Sequence, residues 1–148
     1  MNHLFFLIPM DGIFTFMLFW CTLSDLQKRE IPNAVIILML ALGLLHMLFS
    51  ILLGTSWVEY PLGALLAALL LIAWHKGSIG GGDVKLLSAI GLYLGLPRML
   101  LAVCGMAVAC IFTLLWSLLR NRSLKTAIPL APVLSAGALL PIAIYYLI

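Results

Sequence analysis

Long apolar stretches, broken by short polar joints, make up the chain. Mostly apolar runs fall near residues 4–24, 33–53, 61–75, 84–96, 98–119 and 128–147. A membrane-crossing helix takes about 20 mostly apolar residues. The pattern therefore predicts an all-α integral membrane protein with six transmembrane helices, its boundaries good to about 2–4 residues. Pro32, Pro61, Pro97 and Pro129 each stand at the start of a predicted span, where a missing backbone N–H costs least. The third and fourth runs are short. About 13 residues at about 1.5 Å each give the fourth a length of about 20 Å, against a hydrocarbon core of about 30 Å. Either that run extends beyond these bounds, or Asp83 at its start lies below the headgroups in a wet or protein-lined cavity.

Basic residues give the orientation, because cytoplasmic joints carry the excess of Lys and Arg. Lys28 and Arg29 follow the first span, Lys76 and Lys85 flank the joint after the third, and Arg120, Arg122 and Lys125 follow the fifth. Loops 1–2, 3–4 and 5–6 are thus expected on the cytoplasmic side, with both termini outside. The opposite side holds Arg98 and Glu59. Trp57, Tyr60, Tyr145 and Tyr146 are expected at the outer interface, and Trp20 and Trp74 at the inner one. Asp11 interrupts the first run and no small-x-small cleavage site follows, so the N-terminal stretch is expected to be a retained span rather than a signal peptide.

Composition supports this picture and narrows it. With 65% hydrophobic and 9% charged residues and a mean hydropathy of +1.24, the chain does not fit an ordinary soluble globule. Its 148 residues suit a single domain spanning 1–148. A net charge of +3 without a long basic run gives no sign of nucleic-acid binding; membrane lipid is the expected surrounding. Cys21, Cys104 and Cys110 lie in apolar runs without a C-x-x-C pair and are expected to be small buried hydrophobes. His3, His46 and His75 show no ligand spacing, so neither a metal nor another cofactor is indicated.

Against this apolar background, Asp25 and Asp83 carry the candidate chemistry, since an ionisable group at a membrane helix marks function by default. The predicted topology puts both on one membrane face, Asp25 closing the first span and Asp83 opening the fourth. Two aspartates brought close share a proton. The ionised partner can then take a proton from water while the protonated one polarises a peptide carbonyl, which suffices for amide hydrolysis without a metal. Asp25 at a helix C-terminus and Asp83 at a helix N-terminus should divide these roles, with Asp83 the more acidic. Asp11, 14 residues before Asp25, lies about 21 Å up the same helix; it is expected to be an exposed interfacial acid outside the pair. Gly77-Ser78-Ile79-Gly80-Gly81-Gly82 is backbone without bulk, either a flexible interhelical loop or a surface on which an extended substrate pairs. Gly80, Gly81 and Gly82 are candidate substrate-binding residues. Lys85 is a further one, or simply a cytoplasmic basic residue.

Three motifs carry a resemblance. Asp25-x-x-x-x-x-Ile31-Pro32-Asn33 resembles the first-aspartate motif of the prepilin peptidases, the type IV leader peptidases. Gly80-Gly81-Gly82-Asp83-Val84-Lys85-Leu86 resembles their G-x-G-D-x-K-L motif. Ile128-Pro129-Leu130-Ala131-Pro132 with Gly137 resembles their last-helix pattern. The resemblance implies an aspartic endopeptidase of the prokaryotic cytoplasmic (inner) membrane, with Asp25 and Asp83 as the catalytic pair. Members cut the short basic leader from type IV prepilins or pseudopilins at the cytoplasmic face, after a glycine and before the pilin's hydrophobic helix. Here that leader would meet positive loops, so docking is expected to rest on the hydrophobic helix and the glycine segment. Larger members carry an N-terminal segment with paired C-x-x-C motifs linked to N-methylation. This chain shows no such segment and resembles the short, peptidase-only branch that serves tight-adherence (Flp-type) pili. Two other readings stay open: a G-x-G-D protease for another membrane substrate, such as a preflagellin, and a non-catalytic membrane protein whose acids handle ions or protons.

Overall fold

The computed structural model describes residues 4–28, 30–68, 75, 80–119 and 130–147. Every regular element among them is a helix: α1 (Leu4–Lys28), α2 (Asn33–Leu52), α3 (Glu59–Ala68), α4 (Gly81–Leu119) and α5 (Ala131–Leu147). Trp74, Lys76, Arg120, Arg122, Lys125 and Pro129 lie outside the described residues. Three segments, Leu7–Lys28, Asn33–Leu52 and Gly81–Trp116, are long and apolar enough to cross a membrane. Their outward faces carry large apolar side chains; Phe16, Phe112 and Trp116 are each at least 60% exposed. A soluble domain avoids so much contiguous exposed apolar surface, whereas lipid accommodates it.

Prolines mark several helix starts, as expected. Pro32, at φ −62° and ψ 122°, immediately precedes α2 and its carbonyl accepts from the Val35 and Ile36 amides. α3 begins at Glu59, with Pro61 in its first turn. Two boundaries differ from the sequence expectation. α1 continues to Lys28, which places Asp25 inside the last turns of the helix rather than after it. α4 begins at Gly81, so Gly81 and Gly82 are helical and only Gly80 precedes the helix.

α4 is broken at Gly95, where φ is 72° and ψ 169°. This region is open essentially to glycine alone. Pro97 follows and cannot continue the preceding helix's hydrogen bonding. The break lies beside the expected joint between 96 and 98, and the chain reverses there. The first arm runs from Asp83 to Tyr93, whose hydroxyl reaches Asp11 near the start of α1. The second arm starts at Arg98, whose guanidinium lies 4.5 Å from the Tyr145 ring near the end of α5, and returns so that Thr113 lines a groove with Pro132 near the start of α5. The first arm has 14 residues, 81 to 94, or about 21 Å. It is too short to cross about 30 Å of hydrocarbon by itself.

Glycines allow the closest helix contacts. A Cβ on Gly91 of the first arm would lie 2.2 Å from the Gly63 carbonyl oxygen of α3, and one on Gly137 of α5 would lie 2.7 Å from the Ala102 carbonyl oxygen of the second arm. Small residues let helix backbones meet in this way within a membrane. The core between the helices contains Phe14, Leu18, Cys21, Met39, Leu86, Ile90, Tyr93 and Met99, all fully buried. Phe14 and Tyr93 stack face to face, centroids 3.9 Å apart. Cys21 is buried as expected, but Cys104 is exposed on a groove between the second arm and α5, and Cys110 is only partly covered against the core.

Replacing Gly95 with Ala should lower stability by about 1–3 kcal/mol through backbone strain. Gly12→Ala, at a helical site with open space around it, should be neutral or stabilising by up to about 1 kcal/mol. Thermal unfolding of the two variants in detergent provides the comparison.

Candidate active site

Asp25 and Asp83 line one cavity of about 450 Å³ at one end of the helix bundle, together with Glu30, Ile31, Asn33, Gly80, Gly81, Gly82 and Lys85. Four helix ends form this region: the last turns of α1 and the starts of α2, α4 and α5. The alternating helix directions bring together residues 58 positions apart in the chain. The two carboxylates are close enough that the charge of Asp25 acts on Asp83.

Each carboxylate has a backbone partner. Asp25 is 7% exposed, and its Oδ2 accepts the Ala131 N–H at 3.1 Å. Ala131 is the first residue of α5, so Asp25 ends one helix and faces the N-terminus of another. Asp83 is half-buried at the third position of α4, and its carboxylate reaches back to the Gly80 backbone. An acid at this position commonly satisfies the residue that precedes a helix. The Asp83 N–H in turn donates to the Gly80 carbonyl at 3.2 Å. A Cβ on Gly80 would lie 3.0 Å from Asp83 Oδ2; the missing side chain leaves room for the carboxylate. The helix-end argument therefore does not separate the two acids as expected. Asp83 stands in the first turn of α4, and Asp25, in the last turns of α1, also faces the N-terminus of α5, where an anion is favoured.

The remaining cavity residues have defined places. Lys85 donates from Nζ to Asn33 Oδ1 at 3.2 Å, which ties the first turn of α4 to the start of α2. Its amine is thus turned to Asn33 rather than paired with a carboxylate. Ile31 lies under Gly82, 3.5 Å from where a Cβ would sit. The connection between α1 and α2 is held by Ser24, whose hydroxyl donates to the Glu30 carbonyl at 2.9 Å. One turn further into the bundle, Thr22 donates to Ser135 Oγ at 2.9 Å and Ser135 to the Leu18 carbonyl at 3.3 Å, fixing α1 to α5 beneath Asp25. Sequence reasoning did not single out Glu30, Asn33, Thr22, Ser135 or the Ala131 amide. Asn33 and Ala131 stood inside the quoted motifs without a role assigned to them, Glu30 lay beside Ile31-Pro32, and Thr22 and Ser135 carried no signal. Among the described residues, no cluster of three or more His, Cys, Asp or Glu could hold a metal ion.

Asp11 departs from its expected exposed position. It is 7% exposed and accepts from Tyr93 at 2.5 Å and from Tyr146 at 2.6 Å. Tyr60, expected at the interface, is buried edge-on to His46, with ring centroids 5.8 Å apart. These groups form a second polar cluster at the opposite end of the bundle from Asp25 and Asp83.

The type IV leader peptidase family matches residues 12–119, a region that contains both Asp25 and Asp83. The chain belongs to the type IV leader peptidase family. It is 29% identical over 132 residues to a prepilin leader peptidase/N-methyltransferase from Bacillus subtilis (strain 168), an alignment covering 86% of this chain and 52% of that protein. The chain spans about half the length of the curated relative it matches. No solved structure matches it.

Replacing Asp25 separates its role as acceptor from its charge. Asp25→Asn keeps an oxygen for the Ala131 N–H and should change stability by less than about 1 kcal/mol. Asp25→Leu leaves that buried N–H unsatisfied and should cost about 1–3 kcal/mol. Denaturant unfolding in mild detergent distinguishes the two.

Proposed function

We propose that this protein is an aspartic endopeptidase of the prokaryotic cytoplasmic membrane that removes the leader from type IV prepilins or pseudopilins at the cytoplasmic face. The carrying observation is that Asp25 and Asp83 line one cavity at the same end of the bundle. Membership of the type IV leader peptidase family supports the reaction class. The relative named a prepilin leader peptidase/N-methyltransferase supports the substrate class.

In this mechanism the two carboxylates hold one proton between them and titrate as a pair. The ionised member takes a proton from a water molecule, which attacks the peptide carbonyl, while the protonated member donates a hydrogen bond to the carbonyl oxygen. Proton return to the leaving amine then breaks the C–N bond. Backbone donors at Ala131 and Gly80 hold the two carboxylates in place. The cavity carries the carboxylates of Asp25, Glu30 and Asp83 against the single amine of Lys85, so a basic leader enters an acidic cavity despite the positive loops around it. Gly80, Gly81, Gly82 and Lys85 are the proposed substrate-contacting residues. The topology that accompanies this reading has six spans, the two arms of α4 counting as two, with both termini outside.

Either Asp25→Asn or Asp83→Asn should reduce cleavage of a co-expressed prepilin on the order of 10⁴-fold while the protein still accumulates in the membrane. Immunoblotting for the processed and unprocessed forms is the readout. Full processing by both variants would overturn the mechanism.

A further inference from the structure

Asp11 is a buried acid the mechanism leaves unused, with the hydroxyls of Tyr93 and Tyr146 on its two oxygens. Its place in the fold relates it to the cavity. Along α1, Asp11, Phe14, Leu18, Cys21 and Asp25 recur at spacings of three and four, one stripe of a helix. Along the first arm of α4, Asp83, Leu86, Ile90 and Tyr93 recur in the same way. The six apolar and aromatic members of these stripes are fully buried in a common core. Asp11 and Tyr93 thus occupy one end of the two stripes, and Asp25 and Asp83 the other.

What sets the spacing of these two helices is unusual in this bundle. α3 and α5 meet α4 through backbone contact at glycines, and α2 also packs closely on α4. No comparable backbone packing joins α1 to α4 among the described residues. The stack of Phe14 on Tyr93 and the bond from Tyr93 to Asp11 bridge that seam. A helix is a stiff rod over these lengths, about 21 Å from Asp11 to Asp25 and about 15 Å from Tyr93 to Asp83. A rotation or shift allowed at one end therefore reaches the other.

We infer that Asp11 and Tyr93, assisted by Tyr146, are positioning residues that set the approach of Asp25 to Asp83. This inference rests on the reading of Asp25 and Asp83 as the reacting pair. Tyr146 clamps the second oxygen of Asp11 from the end of α5, and Ala131 at the start of α5 holds Asp25. α5 is thus bonded to both acids of α1, and Tyr93 joins that unit to the helix carrying Asp83. The His46 ring on α2 lies 4.5 Å from the Tyr93 ring at a tilt of 33°, its Nδ1 buried without a hydrogen-bond partner among the described residues. It fills the space behind Tyr93 without competing for the hydroxyl.

The test uses the purified chain in lipid nanodiscs with a quenched fluorescent peptide that reproduces a prepilin cleavage site and the start of its apolar helix. Tyr93→Phe keeps the ring stack and removes only the hydroxyl. It should lower kcat about 10- to 100-fold, as small misplacements of reacting groups do, with KM changed by less than about twofold. The pH–rate profile should also narrow, because two carboxylates held further apart split their titrations less. Tyr146→Phe, at a more exposed position, should give a smaller change of the same kind and serves if Tyr93→Phe fails to fold. Met39→Ala, which opens the core on α2, should lower thermal stability but leave kcat and profile width unchanged in the folded fraction. An unchanged kcat and profile in folded Tyr93→Phe, or in Tyr146→Phe where Tyr93→Phe does not fold, would overturn the inference. An inactive wild type would instead count against the peptidase reading itself.

Discussion

An apolar helix bundle tolerates a carboxylate only where a donor meets it, and that requirement organises this structure. Three aspartates lie wholly or partly inside the bundle, and each is answered from another turn or another helix. Asp11 takes hydroxyls from α4 and α5, Asp25 takes the first amide of α5, and Asp83 folds back onto Gly80. An unsatisfied charge in such surroundings costs far more than a hydrogen bond returns. The donors are therefore constraints on where the helices can lie. α5 illustrates this: its first residue and its last turn are both bonded to acids of α1, so its position along α1 is fixed at both ends.

The second organising constraint is the reversal at Gly95. Without it, α4 would carry its 39 residues straight out of the bundle, and neither arm could serve two faces of the core. With it, a short first arm brings Asp83 to the cavity it shares with Asp25, and a longer second arm packs on α5. Close contact between Gly63 and Gly91 then lets the short arm lie against α3 with no side chains between the backbones. The cavity follows from these lengths. Where the first arm stops short, polar backbone and side chains line the gap.

Much of this was legible in the chain. Pro32 and Pro97 announced where helices start, the apolar runs located the helices, and the two aspartates stood out because so few acids occur among so many apolar residues. Alternating direction was enough to bring Asp25 and Asp83 to one end. The exposed Asp11 that local pattern suggested was wrong for a physical reason: its donors lie 82 and 135 positions away. A periodicity describes one helix face but not the helix opposite it. The same limit hid the Ala131 amide and made Asp25 look like an acid at a helix C-terminus alone. It also hid the pairing of Gly63 with Gly91, since each residue by itself reads only as a weak point in a helix. The glycine run was legible in composition but not in conformation, because a helix N-terminus and a loop both use glycine.

The account depends most on Asp25 and Asp83 behaving as one coupled unit. Carboxyl-carbon NMR of aspartate-labelled protein in nanodiscs measures this directly, by following the titration of Asp25 in the wild type and in Asp83→Asn. A coupled pair predicts that removing the Asp83 charge changes the midpoint and shape of the Asp25 titration. An Asp25 titration identical in the two proteins would contradict the shared site.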